Sequence, residues 1–329
     1  VSLISSDLKK KKKFNKKVNF ITPKLFNYNS SGRYYKYFRC LIILILKILK
    51  NRHVIIMSFQ ANIYALIICK ILKIKIITRL NTAPQGWEHN KIKGSIYSYF
   101  IKKADMIIVN SKEFKKEVDK RYKINSTCVF NPFDFKKIKK LSKIKVKKIF
   151  KKNTLKIINV GRLTIQKDQM VILKAVKNVA AFRKIQLIII GKGKQIHNQL
   201  QNFININKLQ ENVKLLGYKS NPFPYIKQSE IFVLSSKFEG LPNVLIESQF
   251  LKKFIISTNC PTGPKEILNN GKYGYLFNVG DYKELANILR NFKINKSQKK
   301  MIKDGYKKTK DFNYKIICNQ YYNLIKRFI

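Results

Sequence analysis

Short blocks of aliphatic and β-branched residues recur along this chain, each closed by a polar turn and followed by a stretch of helical period. VSLIS (1–5), VNFITP (18–23), HVIIMSF (53–59), KIITRLN (75–81), MIIVNS (106–111) and TCVFNP (127–132) read as a first set of strands. Helices are predicted over 34–50, 61–72 and, after a turn at APQG (83–86), near 91–103. Ser111 stands where it can cap the helix that follows its strand. A second set comprises LKIINVG (155–161), IQLIIIG (185–191), NVKLLGY (212–218), IFVLSS (231–236), KFIISTN (253–259) and YGYLFN (273–278). Helices fall between these strands, and three more close the chain at 281–292, 296–307 and 314–327.

Continuous apolar strands alternating with helices predict parallel sheets covered on both faces. Between the two sets lies PFDFKKIKKLSKIKVKKIFKKN (132–153), Lys-dense and without a clean period. It reads as an interdomain linker with room for a helical turn. The pattern is therefore α/β, with two doubly wound domains. Ligands of such folds lie beyond the carboxyl ends of strands and in the cleft between domains.

Charge changes the picture next. The formal net charge is +52, from 69 Lys and Arg against 17 Asp and Glu. Nucleic acid is one reading, but only nine of the basic residues are Arg and the Lys are spread along the whole chain. Base readers lean on Arg and gather charge on one face. Solvated Lys faces and attraction to an anionic membrane surface are the other two readings, and they are compatible. The run KKKKKFNKK (9–17) is a solvated loop or a membrane-facing segment. The longest apolar run, CLIILIL (40–46), is far short of a bilayer span. The five cysteines form no CxxC, and four of them sit in or beside apolar runs, so those four are expected as reduced core thiols in a cytosolic setting. His53, His89 and His197 have no metal-ligand spacing, and no Asp-x-Asp occurs.

Candidate chemistry sits at the carboxyl ends of second-set strands. NVGRLTIQKD (159–168) places Gly161 at a sharp exit from the strand, with Arg162 and Lys167 before the next helix. Two cations and backbone N–H groups suit a diphosphate, although an ordinary strand-to-helix turn looks the same. GKGK (191–194) reads more simply as a tight turn than as a phosphate loop. In FEGLPNVLIE (238–247), Gly240 permits a turn and Pro242 fits the first turn of a helix running to about 251. Glu239 then lies in the loop and Glu247 over one turn into the helix. One carboxylate can meet the reacting end of a ligand while the other accepts hydrogen bonds from a diol; simple capping is the alternative. Facing a cleft, neither glutamate is expected to contribute to the core.

Together GRL…QKD, EGLPNVLIE, CPTGPKEIL (260–268) and GKYGYLF (271–277) resemble the retaining family-4 (group 1) glycosyltransferases of the GT-B fold. The resemblance covers most of 155–290. It reaches the first domain chiefly through SFQANIYALI (58–67), VNSKEF (109–114) and VFNPFD (129–134). It implies a GT-B architecture: two Rossmann-like domains facing a cleft, 1–135 on the acceptor side, a linker at 136–154, a nucleotide-sugar domain at 155–310, and a C-terminal helix at 311–329 that packs back on the first domain. It implies that Arg162 and Lys167 bind the donor diphosphate, that Glu239 acts near the reaction centre with them, and that Glu247 binds the ribose. Gly161, Gly217, Tyr218, Gly240, Leu241, Pro242 and Asn243 complete the implied donor site. Such enzymes open with a strand and a glycine-rich loop, whereas this sequence begins at what resembles the second strand.

The expected activity is retaining, metal-independent transfer of a hexosyl or N-acetylhexosaminyl unit from a nucleotide sugar, UDP-linked by the likeness of CPTGPKEIL. No cofactor is expected. The expected partners are the donor, a glycan or lipid-linked acceptor in polysaccharide or glycoconjugate assembly, and an anionic membrane surface on the cytosolic side. A basic nucleic-acid-binding protein and an inactive nucleotide-binding relative are the alternatives.

Overall fold

The computed structural model describes residues 1–6, 16–23, 32–60, 62–81 and 91–328. The turn expected at 83–86, His89 and most of the basic run 9–17 lie outside the described residues. Two main parallel sheets of an α/β fold, of four and six strands, face one another across a cleft. Ahead of them in the chain, β1 (Ser2–Ile4) and β2 (Asn19–Ile21) pair with each other as a separate two-stranded sheet. After α1 (Arg33–Lys50) come β3 (Ile56–Ser58), α2 (Asn62–Ile71), β4 (Ile76–Arg79), α3 (Lys91–Ile101), β5 (Met106–Val109), α4 (Lys112–Tyr122) and β6 (Thr127–Cys128). Strands β3 to β6 form a four-stranded ladder in chain order. A cavity of about 590 Å³ lies between β1 and β3, floored by Tyr37, Cys40, Leu41 and Leu44 of α1. With a partner on one side only, β3 is three residues long, although the apolar block HVIIMSF has seven.

The second half opens with α5 (Phe135–Ser142), then β7 (Leu155–Val160), α6 (Gln169–Ala180), β8 (Ile185–Ile190), α7 (Lys194–Ile206), β9 (Val213–Leu215) and α8 (Phe223–Gln228). There follow β10 (Ile231–Leu234), α9 (Asn243–Phe250), β11 (Phe254–Thr258), α10 (Pro264–Ile267), β12 (Tyr275–Phe277), α11 (Tyr282–Asn291), α12 (Lys296–Lys308) and α13 (Tyr314–Lys326). The sheet order β12-β11-β10-β7-β8-β9 is doubly wound, reversing at β7 and β10. That switch point opens a crevice at the carboxyl ends of the two strands. The sheet is buried on both faces: Ile157, Leu187 and Val233 pack under α6, while Ile158, Ile188 and Phe232 pack toward α8 and α9. This is why its strands read as unbroken apolar runs. The Lys-dense segment contributes α5, whose Ile138 is buried against the second half.

Two features join the halves. Helix α13 lies on the first sheet, where Ile317 is buried with Ile77, Ile108 and Val129. A crossed pair of glutamates bridges the cleft. Glu266 of α10 accepts the N–H groups of Lys112 and Glu113 at the start of α4, both at 3.1 Å. Glu113 accepts the N–H of Gly263, the residue preceding α10, also at 3.1 Å. Burial, and then the nearby charge of Glu266, pushes the Glu113 carboxyl upward.

Helix α1 has two apolar faces. Leu44 and Ile48 are buried against α2, but Tyr34, Tyr35, Phe38, Ile42, Leu46 and Leu49 stand exposed. The four-residue steps from Tyr34 through Phe38 and Ile42 to Leu46 align these side chains along one face. Lys36, Arg39, Lys47 and Lys50 belong to the same helix. Among the described residues no helix is long and apolar enough to cross a membrane.

Candidate active site

The turn after β7 and the turn after β10 meet at the switch point and are stitched together by hydrogen bonds. Gln166 Nε2 donates to the Phe238 carbonyl at 2.8 Å, the Lys237 N–H donates to the Gln166 carbonyl at 2.8 Å, and Ser235 Oγ donates to the Lys167 carbonyl at 2.8 Å. These bonds fix the backbones of Lys167 and Glu239 face to face. Their side chains form an ion pair at 2.5 Å, with 14% and 8% of their surfaces exposed. Ser236 Oγ donates to the same Glu239 oxygen at 2.5 Å. Glu239 Oε1 thus carries both bonds, and Oε2 has no protein partner among the described residues. Asp168 precedes α6 in the left-handed region, φ 43°, a conformation that Asp tolerates, and its side chain makes no bond to the helix end.

Arg162 is exposed and has no ion-pair partner among the described residues. Its carbonyl accepts from Gln169 Nε2 at 3.0 Å, so the backbone is anchored while the guanidinium is left to solvent. Gly161 lies beside the Lys167 stem. The loop GKGK is a tight turn with a steric reason for its first glycine: a Cβ on Gly191 would stand 1.9 Å from the Gly161 carbonyl oxygen. That packing brings Lys192 next to the site, where its ammonium lies 5.7 Å over the ring of Tyr218. Tyr218 is itself 65% exposed, and the Gly217 carbonyl accepts from the Gly191 N–H.

In FEGLPNVLIE, Leu241 is buried and Pro242 precedes α9 with no side-chain cap. Gly240 is needed for a reason that the sequence did not disclose. A Cβ there would come within 2.5 Å of the Asn81 carbonyl oxygen in the first half, so this backbone closes against the opposite wall of the cleft. Asn243, the first residue of α9, accepts from Asn131 Nδ2 across the same cleft at 2.5 Å. Glu247 lies one turn further along α9, and its carboxylate has no hydrogen-bond partner among the described residues. Burial pushes its carboxyl up to about 7. An unpartnered carboxylate in a half-dry site is poised to accept hydrogen bonds from a ligand.

Two groups in this arrangement escaped the sequence reading. Ser236 was visible only as the polar end of IFVLSS, and Asn131 only as the middle of VFNPFD. Among the described residues no group of three or more His, Cys, Asp or Glu side chains gathers as a metal site. A larger cavity of about 830 Å³ is lined by Lys272, Lys300, Asp304 and Lys307 among others, and by none of Arg162, Lys167, Glu239 and Glu247.

Comparison with known proteins agrees with the fold. The family model of the glycosyl transferases group 1 matches residues 142–308. An uncharacterized glycosyltransferase of Methanocaldococcus jannaschii is 34% identical over 274 residues, covering 72% of this chain and 67% of that protein. The N-acetylgalactosamine-N,N'-diacetylbacillosaminyl-diphospho-undecaprenol 4-alpha-N-acetylgalactosaminyltransferase of Campylobacter jejuni is 30% identical over 217 residues, covering 63% of this chain and 57% of that protein. Among solved structures, Anabaena HepE in complex with UDP superposes with a TM-score of 0.74 at 15% identity, covering 94% of this chain and 86% of that one. The lipopolysaccharide outer core galactosyltransferase WaaB superposes with a TM-score of 0.68 at 18% identity, covering 95% and 85%. The fold is GT-B, and the chain belongs to the group 1 family of glycosyl transferases.

Proposed function

We propose that this chain is a retaining glycosyltransferase that moves a hexosyl or N-acetylhexosaminyl unit from a UDP-linked sugar to a glycan or lipid-linked acceptor during surface polysaccharide or glycoconjugate assembly. The observation that carries the proposal is the buried Lys167–Glu239 pair at the sheet's switch point, with the unpartnered Glu247 one helical turn beyond α9's start. The UDP bound in the HepE complex and the undecaprenol-linked substrate named for the Campylobacter relative support the donor and acceptor classes.

In this reading the diphosphate rests at the turn after β7. Arg162 supplies a free guanidinium, Lys167 has N–H bonds to spare beyond its one carboxylate, and α9 adds the positive end of its dipole. These charges meet the leaving group without a metal. Glu239 presents Oε2 to the transferred sugar, where positive charge develops at the anomeric carbon. Glu247 accepts from the ribose hydroxyls, and the exposed Tyr218 ring offers a face to the base. Arg162→Ala is expected to weaken UDP binding by about 1.5–3 kcal/mol, as for one charge-assisted hydrogen bond. Unchanged affinity in titration calorimetry would remove Arg162 from the site.

The acceptor end of the reading places the enzyme at the cytosolic face of a membrane. The exposed apolar face of α1, carried with five cations on one helix, has the composition of a segment that lies in an anionic lipid interface. Flotation with anionic vesicles should recover the protein at low salt and lose it as salt rises, and Phe38→Ser with Leu46→Ser should reduce recovery at every salt concentration. Equal recovery on neutral vesicles would count against the contact.

A further inference from the structure

Arg79, at the carboxyl end of β4, is a buried cation with no carboxylate partner among the described residues. The rings of Phe59 and Tyr321 lie 5.8 and 5.9 Å from its guanidinium carbon. Two amide oxygens accept from it: Asn81 Oδ1 at 2.6 Å from Nη1 and Asn131 Oδ1 at 2.5 Å from Nη2. Nε is buried without a partner. Nothing in the glycosyl-transfer reading uses this residue.

A guanidinium can only donate. Asn131 must therefore turn its oxygen toward Arg79, and its NH2 is forced outward across the cleft. There it meets Asn243, which must in turn present its own oxygen. The remaining Asn243 NH2 has no protein partner among the described residues and stands on the exposed first residue of α9. We propose that Arg79 is a positioning residue: its one-way hydrogen bonding sets the sense of the relay Arg79–Asn131–Asn243, which leaves an N–H donor rather than a carbonyl oxygen at the start of α9. The ligand class this favours is one rich in acceptor oxygens, such as a nucleoside diphosphate. Without the arginine, the two amides can turn together and present an oxygen to that ligand instead. The relay crosses from one half to the other, so it is complete only with the cleft closed. The inference rests on the nucleotide-sugar reading.

The test is UDP binding by titration calorimetry on the full chain, with circular dichroism as a folding control. Asn131→Asp keeps the contact to Arg79 but can only accept, so Asn243 must turn its NH2 inward. Affinity for UDP should fall about tenfold or more. Asn243→Ala removes one neutral donor and should cost less, roughly threefold. The double variant should bind UDP as Asn243→Ala does, because Asn131 acts only through Asn243. Arg79→Met should weaken binding in the wild-type background and leave it unchanged in the Asn243→Ala background. Losses that multiply in the double variants would mean plain electrostatics or structural damage, and would overturn the relay, as would wild-type affinity in Asn131→Asp. Should Arg79→Met fail to fold, the Asn131 and Asn243 variants still decide. A folded wild-type protein that does not bind UDP would overturn the donor reading together with the relay; binding by wild type with indifferent variants overturns the relay alone.

Discussion

Replacing Glu239 by Gln is expected to lower kcat by about 10²- to 10³-fold while leaving the donor KM nearly unchanged. In the proposed mechanism the carboxylate matters most as positive charge grows on the anomeric carbon, and a charge fixed in a dry site contributes most in the transition state. The buried ion pair adds a second effect, which revises the expectation that a cleft-facing glutamate leaves stability untouched. Glu239→Gln strands the Lys167 ammonium with 14% of its side-chain surface exposed. Breaking a buried pair from one side costs about 3–5 kcal/mol, and residual solvent contact favours the lower end. Lys167→Met with Glu239→Gln should therefore be more stable than Glu239→Gln alone, though no more active. Donor-dependent kinetics and urea unfolding of the three variants decide. Full kcat in a folded Glu239→Gln protein would take the carboxylate out of the chemistry.

Glu247→Gln should act in the opposite sense on stability. Burial holds the Glu247 carboxyl at about 7. Between the ordinary carboxylate value and about 7, the folded chain keeps a proton that the unfolded chain has released. Stability then falls as pH rises through that window and levels off above it. Gln has no such loss, so Glu247→Gln should gain on wild type by roughly 3 kcal/mol between pH 4 and pH 8. Ligand binding reverses the balance. If, as proposed, ribose hydroxyls donate to the ionised carboxylate, wild-type affinity for UDP should weaken by up to about tenfold per pH unit below 7, while the Gln variant shows a flat profile. At pH 8 the variant should bind UDP about 10- to 100-fold more weakly, the loss of a hydrogen-bonded charged acceptor. Parallel pH profiles for the two proteins would exclude Glu247 as the ribose ligand.

The parts of this fold legible in sequence are those governed by local period. The strands of the second sheet read as apolar runs because both faces are covered, and Ser111 caps α4 as its position predicts, accepting from the Phe114 N–H. The eight-residue interval from Glu239 to Glu247 was informative because the intervening turn and helix fix where each carboxylate lies. What sequence concealed depends on distant pairing. Lys167 and Glu239 are 72 residues apart, and nothing in either motif shows that the cation of one binds the carboxylate of the other. Gly240 reads as a turn residue, but its missing side chain is explained by a carbonyl from Asn81 in the opposite half. Arg79 reads as one basic residue among 69, and its burial becomes visible only when Phe59, Tyr321 and two asparagines surround it.

The crossed glutamates have a consequence for how the cleft can open. The first turn of α4 is finished by Glu266, and the residue preceding α10 is bonded by Glu113, each from the other side. Neither half holds a full complement of backbone partners when it stands apart. Opening is therefore not a rotation of two finished bodies about a hinge. It frays two helix ends at once, and the exposed N–H groups must find water before the halves part. The closed form is the one in which the chain's own backbone is best satisfied, and a substrate entering the cleft competes with that satisfaction.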